Sequence, residues 1–106
     1  MSTAIEKLNE QIEHIKRELQ ALGPMRPGTI SRQYRNPKEK KRPFYQISYT
    51  HRMKSRSEYL RPENLAALRI ETDNFKHFRK LVNRWVDLAL KLSQLKTQQG
   101  QHSAPS

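Results

Sequence analysis

The sequence predicts an α+β domain: an N-terminal helix, a three-stranded antiparallel sheet and a long C-terminal helix, with the helices forming an antiparallel hairpin over one sheet face. Three observations carry this. Apolar residues recur in steps of three and four over residues 5–22, the period changes to two between residues 29 and 60, and a helical period returns from residue 62 to about residue 98. At 106 residues the chain has length for one small domain. That domain is expected over residues 1–98, with residues 99–106 as a disordered tail.

The first helix rests on Ile5, Leu8, Ile12, Ile15, Leu19 and Leu22, a narrow seam with Glu, Lys, Gln and Arg between its members. Thr3 with Glu6 three residues on has the form of a capping box, and Gly23 followed by Pro24 stops the helix. Two uses of the seam stay open. It packs against the long helix of the same chain, or its heptads of Ile and Leu pair with a second copy or a protein partner.

The strands follow from alternation. "TISRQY" sets Ile30, Arg32 and Tyr34 against Ser31, Gln33 and Arg35; "FYQISYT" sets Tyr45, Ile47 and Tyr49 against Gln46, Ser48 and Thr50; "KSRSEYL" carries Tyr59. A tight turn near Arg52 to Lys54 joins the second strand to the third. Helices packed on one face of an antiparallel sheet leave the other face wet. With Tyr45, Ile47 and Tyr49 turned inward, the open face is expected to show Gln46, Ser48 and Thr50, beside Ser31, Gln33 and Arg35 on the first strand and Arg56 on the third.

Pro62 suits a first helical position and Glu63 suits its positive end. The apolar residues that follow fall in three adjacent columns: Leu68, Phe75, Val82 and Ala89; Phe78, Trp85 and Leu92; Leu81, Leu88 and Leu95. A face that broad covers a sheet with one part and meets a helix with the rest. Trp85 lies within the columns and is read as core.

Charge separates these segments. The chain holds 21 Lys and Arg against 10 Asp and Glu, a formal +11. Residues 1–25 carry three basic and four acidic side chains, residues 26–61 carry eleven and two, and residues 62–106 carry seven and four. The strands and their loops thus hold +9 of the excess, which favours a polyanionic partner. A membrane surface ranks below nucleic acid, because neither helix joins a basic face to a free apolar one. DNA is the expected partner. RNA shares the electrostatics, but the strands lack the exposed aromatic pairs of a base-stacking sheet.

In this reading Arg35, Gln46, Ser48, Thr50 and Arg56 approach bases, as Arg and Gln do on guanine and adenine edges when a β-ribbon enters the major groove. Lys38, Lys40, Lys41, Arg42, Arg52 and Lys54 neutralise phosphates, with Arg32 in the same basic set. The rival reading is a coiled-coil accessory subunit of a larger recombinase, transposase or toxin complex. There the polar sheet face and its charge serve solubility and keep edges apart.

Chemistry leaves few other marks. There is no cysteine, no two of His14, His51, His77 and His102 stand three or four residues apart, and no glycine-rich phosphate loop or glycine-flanked serine occurs. Glu58 is the one acid within the strands, too little for paired-carboxylate catalysis. Tyr34, beside Arg32 and Arg35, is read as a sheet tyrosine and not a nucleophile. The expectation is a non-enzyme with no metal and no cofactor. "MSTAIEKLNEQIEHIK" lacks the apolar core of a signal peptide and no run of about 18 apolar residues exists, so a cytoplasmic protein is expected.

"GTISRQYR", "PFYQISYT", "KSRSEYLRPEN" and "FKHFRKLVNRWVDLALKL" together resemble a family of small prokaryotic proteins catalogued as a domain of unknown function and associated with mobile elements. The resemblance covers roughly residues 3–95 and implies no activity. In many relatives the loop before the second strand carries several cysteines, suggestive of a metal knuckle, and the strand opens on a Gly-Pro-Tyr-Tyr-like start. Here that loop is "NPKEKKRP", so no knuckle carries over. In order of elements the chain is also similar to the three-stranded sheet plus helix at the N-terminus of tyrosine-recombinase integrases. That likeness implies a sheet set in the major groove, but those domains lack a long leading helix.

Overall fold

The computed structural model describes residues 3–36, 38 and 42–100. Helix α1 (Ala4–Ala21) is followed by strands β1 (Thr29–Gln33), β2 (Phe44–His51) and β3 (Lys54–Leu60), a 3-10 turn at Pro62–Asn64, and helix α2 (Leu65–Gly100). The strands form one antiparallel sheet in the order β1-β2-β3. The architecture is therefore α+β with the expected order of elements. Helix α2 continues through Gly100, into the stretch expected to be a disordered tail, and residues 101–106 lie outside the described residues. Tertiary contacts divide the chain into two compact units, one made by α1 with α2 from Phe78 onward, the other by Gly23–His77.

The helical unit is an antiparallel hairpin. Ala4 and Leu8 lie beside Leu95, Ile12 and Lys16 beside Trp85 and Leu92, and Ile15 beside Leu81. Its core is Ile12, Ile15, Leu81 and Leu88, flanked by Leu8, Leu19, Leu22, Trp85 and Leu92. The α1 seam is thus used within the chain, with Ile15 only 2 % exposed. Lys16 lays its ammonium 5.5 Å from the Trp85 ring centre, closing the wet side of this small core. The capping box forms in full: Glu6 N–H donates to Thr3 Oγ1 at 3.1 Å and Thr3 N–H donates to Glu6 Oε2 at 3.2 Å.

In the sheet unit the two buried apolar strand residues are Ile47, 1 % exposed, and Leu60, 3 % exposed. The segment entering β1 lies against their face. Gly28 sits over Ile47, and Arg26 holds its guanidinium 5.2 Å from the centre of the Tyr49 ring. The same segment is tied to the first turns of α2: Arg26 N–H donates to Glu71 O at 3.2 Å, and Asn74 Nδ2 donates to Pro24 O at 2.9 Å. Thr72, buried on α2, bonds its hydroxyl back to Arg69 O at 3.1 Å and so hides no unpaired polar group.

Candidate nucleic-acid interface

Pairing register decides what each sheet face shows, because directly opposed residues of an antiparallel pair share a face. Thr29, Ser31 and Gln33 oppose Ser48, Gln46 and Phe44, while Ser55, Ser57 and Tyr59 oppose Thr50, Ser48 and Gln46. These residues form the open face. Ser48 Oγ and Ser57 Oγ are 3.0 Å apart, as are Thr50 Oγ1 and Ser55 Oγ, so two adjacent rungs of β2 and β3 carry hydroxyl pairs. Gln33 Nε2 donates to Ser31 Oγ at 3.3 Å on β1. Gln46, Ser48 and Thr50 are where the sequence put them.

The other face holds Ile30 and Arg32 of β1, Tyr45, Ile47, Tyr49 and His51 of β2, and Lys54, Arg56, Glu58 and Leu60 of β3. Every charged strand residue is on this side, and the open face carries none. Arg56 is therefore a correction: it opposes Tyr49 and not an open-face residue. The reason is the turn. Only Arg52 and Met53 separate β2 from β3, and His51 pairs with Lys54. A turn of three residues, Arg52 to Lys54, shifts register by one and sends every β3 side chain to the opposite face. Arg52 and Met53 have φ of 51° and 65°, the paired positive values of a type I′ hairpin turn, made here without glycine or asparagine. Arg32 shares the Ile47 side as well, where its Nε donates to Tyr34 Oη at 3.1 Å.

The cations expected on phosphates sit at the two ends of the open face. At one end Arg35 lies two residues past β1, Arg42 lies two residues before β2, and Arg61 follows β3; all three are exposed. Lys38 belongs to the same loop and is exposed, its backbone N–H donating to Asn36 Oδ1 at 3.1 Å. Lys40 and Lys41 fall outside the described residues. At the other end stands Arg52, in the turn; Lys54, the first residue of β3, opposes His51 and so belongs with Arg56 to the Ile47 side, away from the expected face. The eight residues of β2 span about 23 Å between the two ends. That is more than two Debye lengths at about 0.1 M salt, so a ligand that feels both ends must lie across the face.

The strand acid is neutralised away from that face. Glu58 Oε2 is 3.7 Å from Arg26 Nη2, and Glu58 Oε1 accepts a 2.9 Å bond from Tyr49 Oη. That bond holds the Tyr49 phenol above its ordinary pKa, because ionising it would lose the donated proton; burial adds to the effect.

Sequence reasoning missed Ser55, Ser57, Tyr59 and Arg61. Tyr59 is 64 % exposed on the open face, with half-buried Phe44 one rung along on the neighbouring strand. This aromatic surface corrects the expectation that the strands carry no exposed aromatic pair, because alternation alone did not assign Tyr59 to either face. The signal that reaches it is the two-residue turn, which fixes β3 against β2.

Residues 5–70 match the family described as a domain of unknown function, DUF6788, and they make up more than half of the chain. The chain belongs to that family. The DUF6788 match takes in α1, the whole sheet and the opening of α2, and it stops before the "FKHFRKLVNRWVDLALKL" stretch. No curated protein and no solved structure matches the chain. Among the described residues, no helix is long and apolar enough to cross a membrane.

Proposed function

We propose that this DUF6788 chain binds nucleic acid through the open face of its sheet. The observation that carries the reading is a wholly uncharged, exposed to half-buried β surface of hydroxyl, amide and aromatic side chains with cations at both ends. Phosphates are held at the ends by Arg35, Lys38, Arg42, Arg52 and Arg61, with Lys40 and Lys41 adding to the first group by their place in the sequence. Gln33, Gln46, Ser48 and Thr50 meet groups between them.

The test is a salt titration of the whole chain against duplex DNA, single strands and structured RNA. Replacing Lys40, Lys41 and Arg42 by Ala should weaken binding and flatten the log–log salt dependence by about 0.7–0.9 for each phosphate no longer neutralised. Unchanged affinity and slope would overturn the assignment.

A second reading, an accessory subunit docked on a larger recombinase, transposase or toxin of a mobile element, draws on a different observation. Val86 and Leu90 lie one helical turn apart on α2 and are 51 % and 57 % exposed. A partner bound there is released when both become Ser, while nucleic-acid affinity is untouched.

A further inference from the structure

Tyr59 is large, aromatic and exposed on the one sheet face that carries no charge. Its place on that face is specific. Tyr59 opposes Gln46, and Phe44 stands on the diagonal, close enough for aromatic side chains to share surface. Gln33 opposes Phe44, so an amide lies on each side of the aromatic pair. This is also the end of the sheet at which Arg35, Arg42 and Arg61 gather. The hydroxyl pairs Ser48–Ser57 and Thr50–Ser55 run from there towards the turn.

A duplex offers little to such a surface. In a duplex the faces of the bases are stacked on each other, and only their edges reach a groove. The strongest edge interaction, a forked Arg on guanine, has no donor within the strands of this face, because Arg32 and Arg56 belong to the other one and Arg35, Arg42 and Arg61 stand at its end. An unpaired strand presents the complementary chemistry: free base faces for an aromatic ring, base edges for amides, and phosphates about a nucleotide away for arginines.

We infer that the preferred ligand is a single-stranded polynucleotide, RNA or DNA, one base of which stacks on Tyr59 while Arg35, Arg42 and Arg61 hold its backbone. The inference rests on the nucleic-acid reading above and names the form of ligand that fits it. The 2′-hydroxyl separates the two sources, and Gln46 and Gln33 are the nearest open-face groups able to bond it.

The experiment measures fluorescence anisotropy of the full chain with labelled oligouridylate, oligothymidylate and a DNA duplex of equal length, at about 0.1 M salt. The parent is expected to bind the single strands more tightly than the duplex. Tyr59→Ala should weaken single-strand binding roughly 5- to 150-fold, the span measured for loss of one stacked base, and leave the duplex unaffected. Tyr59→Phe, which keeps the ring and loses the hydroxyl, should bind as the parent does. Because Tyr59 is exposed, the far-ultraviolet circular dichroism of both variants should match the parent.

Equal single-strand affinity for parent and Tyr59→Ala overturns the stacking role, and so does an equal loss on duplex and single strand. In either case the sheet remains a nucleic-acid surface. If none of the probes binds, the broader reading fails first. A preference for oligouridylate over oligothymidylate assigns the ligand to RNA; the reverse assigns it to DNA.

Discussion

Gly28 and Ile47 occupy space that no third group can enter: a Cβ built on Gly28 lies 2.7 Å from Ile47 Cγ1 and 2.8 Å from Cδ1. Ile47 is buried at the centre of the sheet and cannot swing away, and Gly28 has φ +149°, a conformation that side chains rarely adopt. Gly28→Ala therefore meets both a clash and a strained backbone. The expected loss is about 2 kcal/mol or more, read as a lower denaturant midpoint. An unchanged midpoint would mean that the segment entering β1 does not press on the sheet.

The Tyr49–Glu58 bond makes a prediction about alkaline pH. The phenol's pKa is raised in the folded chain, so the stabilisation it brings is whole below about pH 10, the ordinary tyrosine value, and is lost as pH climbs through the raised one. The stability difference between the parent and Tyr49→Phe should stay level from neutral pH to that point and then close. A difference that does not change with pH would show that the hydroxyl contributes nothing through Glu58.

Ile15 carries the hairpin core. Ile15→Ala should cost about 2–5 kcal/mol, because the residue is buried against a core of few members that cannot close the cavity. Thr3→Ala, which removes a cap at the far end of the same helix, should cost about 1 kcal/mol. If denaturation gives the two variants equal losses, the packing order described for α1 is wrong. The burial of Ile12 and Ile15 also means that Asp at either position unfolds the hairpin whether or not a partner exists. Val86 and Leu90 are the positions that report on docking.

The β2–β3 turn ties stability against binding. Replacing Arg52–Met53 by Asn–Gly supplies the residues that positive φ favours and should raise stability by about 1–2 kcal/mol. The same change removes a rim cation, so affinity for single strands should fall and the salt slope should flatten by about 0.7. A stabler chain with undiminished binding would remove Arg52 from the interface.

Much of this was legible before folding, and the reason is locality. The Thr3–Glu6 box, the stop at Gly23 and the seam from Ile5 to Leu22 depend on neighbours within one or two turns, so their pattern survives in the chain order. The same holds for Gln46, Ser48 and Thr50, whose alternation with Tyr45, Ile47 and Tyr49 lies within a single strand. Arg56 and Tyr59 were not legible in this way. Their face depends on whether the turn holds two residues or three, and Arg52–Met53 gives no glycine or asparagine to count by.

Chain order alone therefore set the succession of elements, the concentration of positive charge between residues 26 and 61, and the apolar seam that needs a partner. It took the folded molecule to show that the seam's partner is Leu81 and Leu88 of the same chain, and that strand cations and the serine and threonine hydroxyls of the strands part company on opposite faces. Both outcomes belong to pairings between residues distant in the chain. A seam does not specify which apolar surface will bury it, and a period of two does not say which neighbour sets its phase.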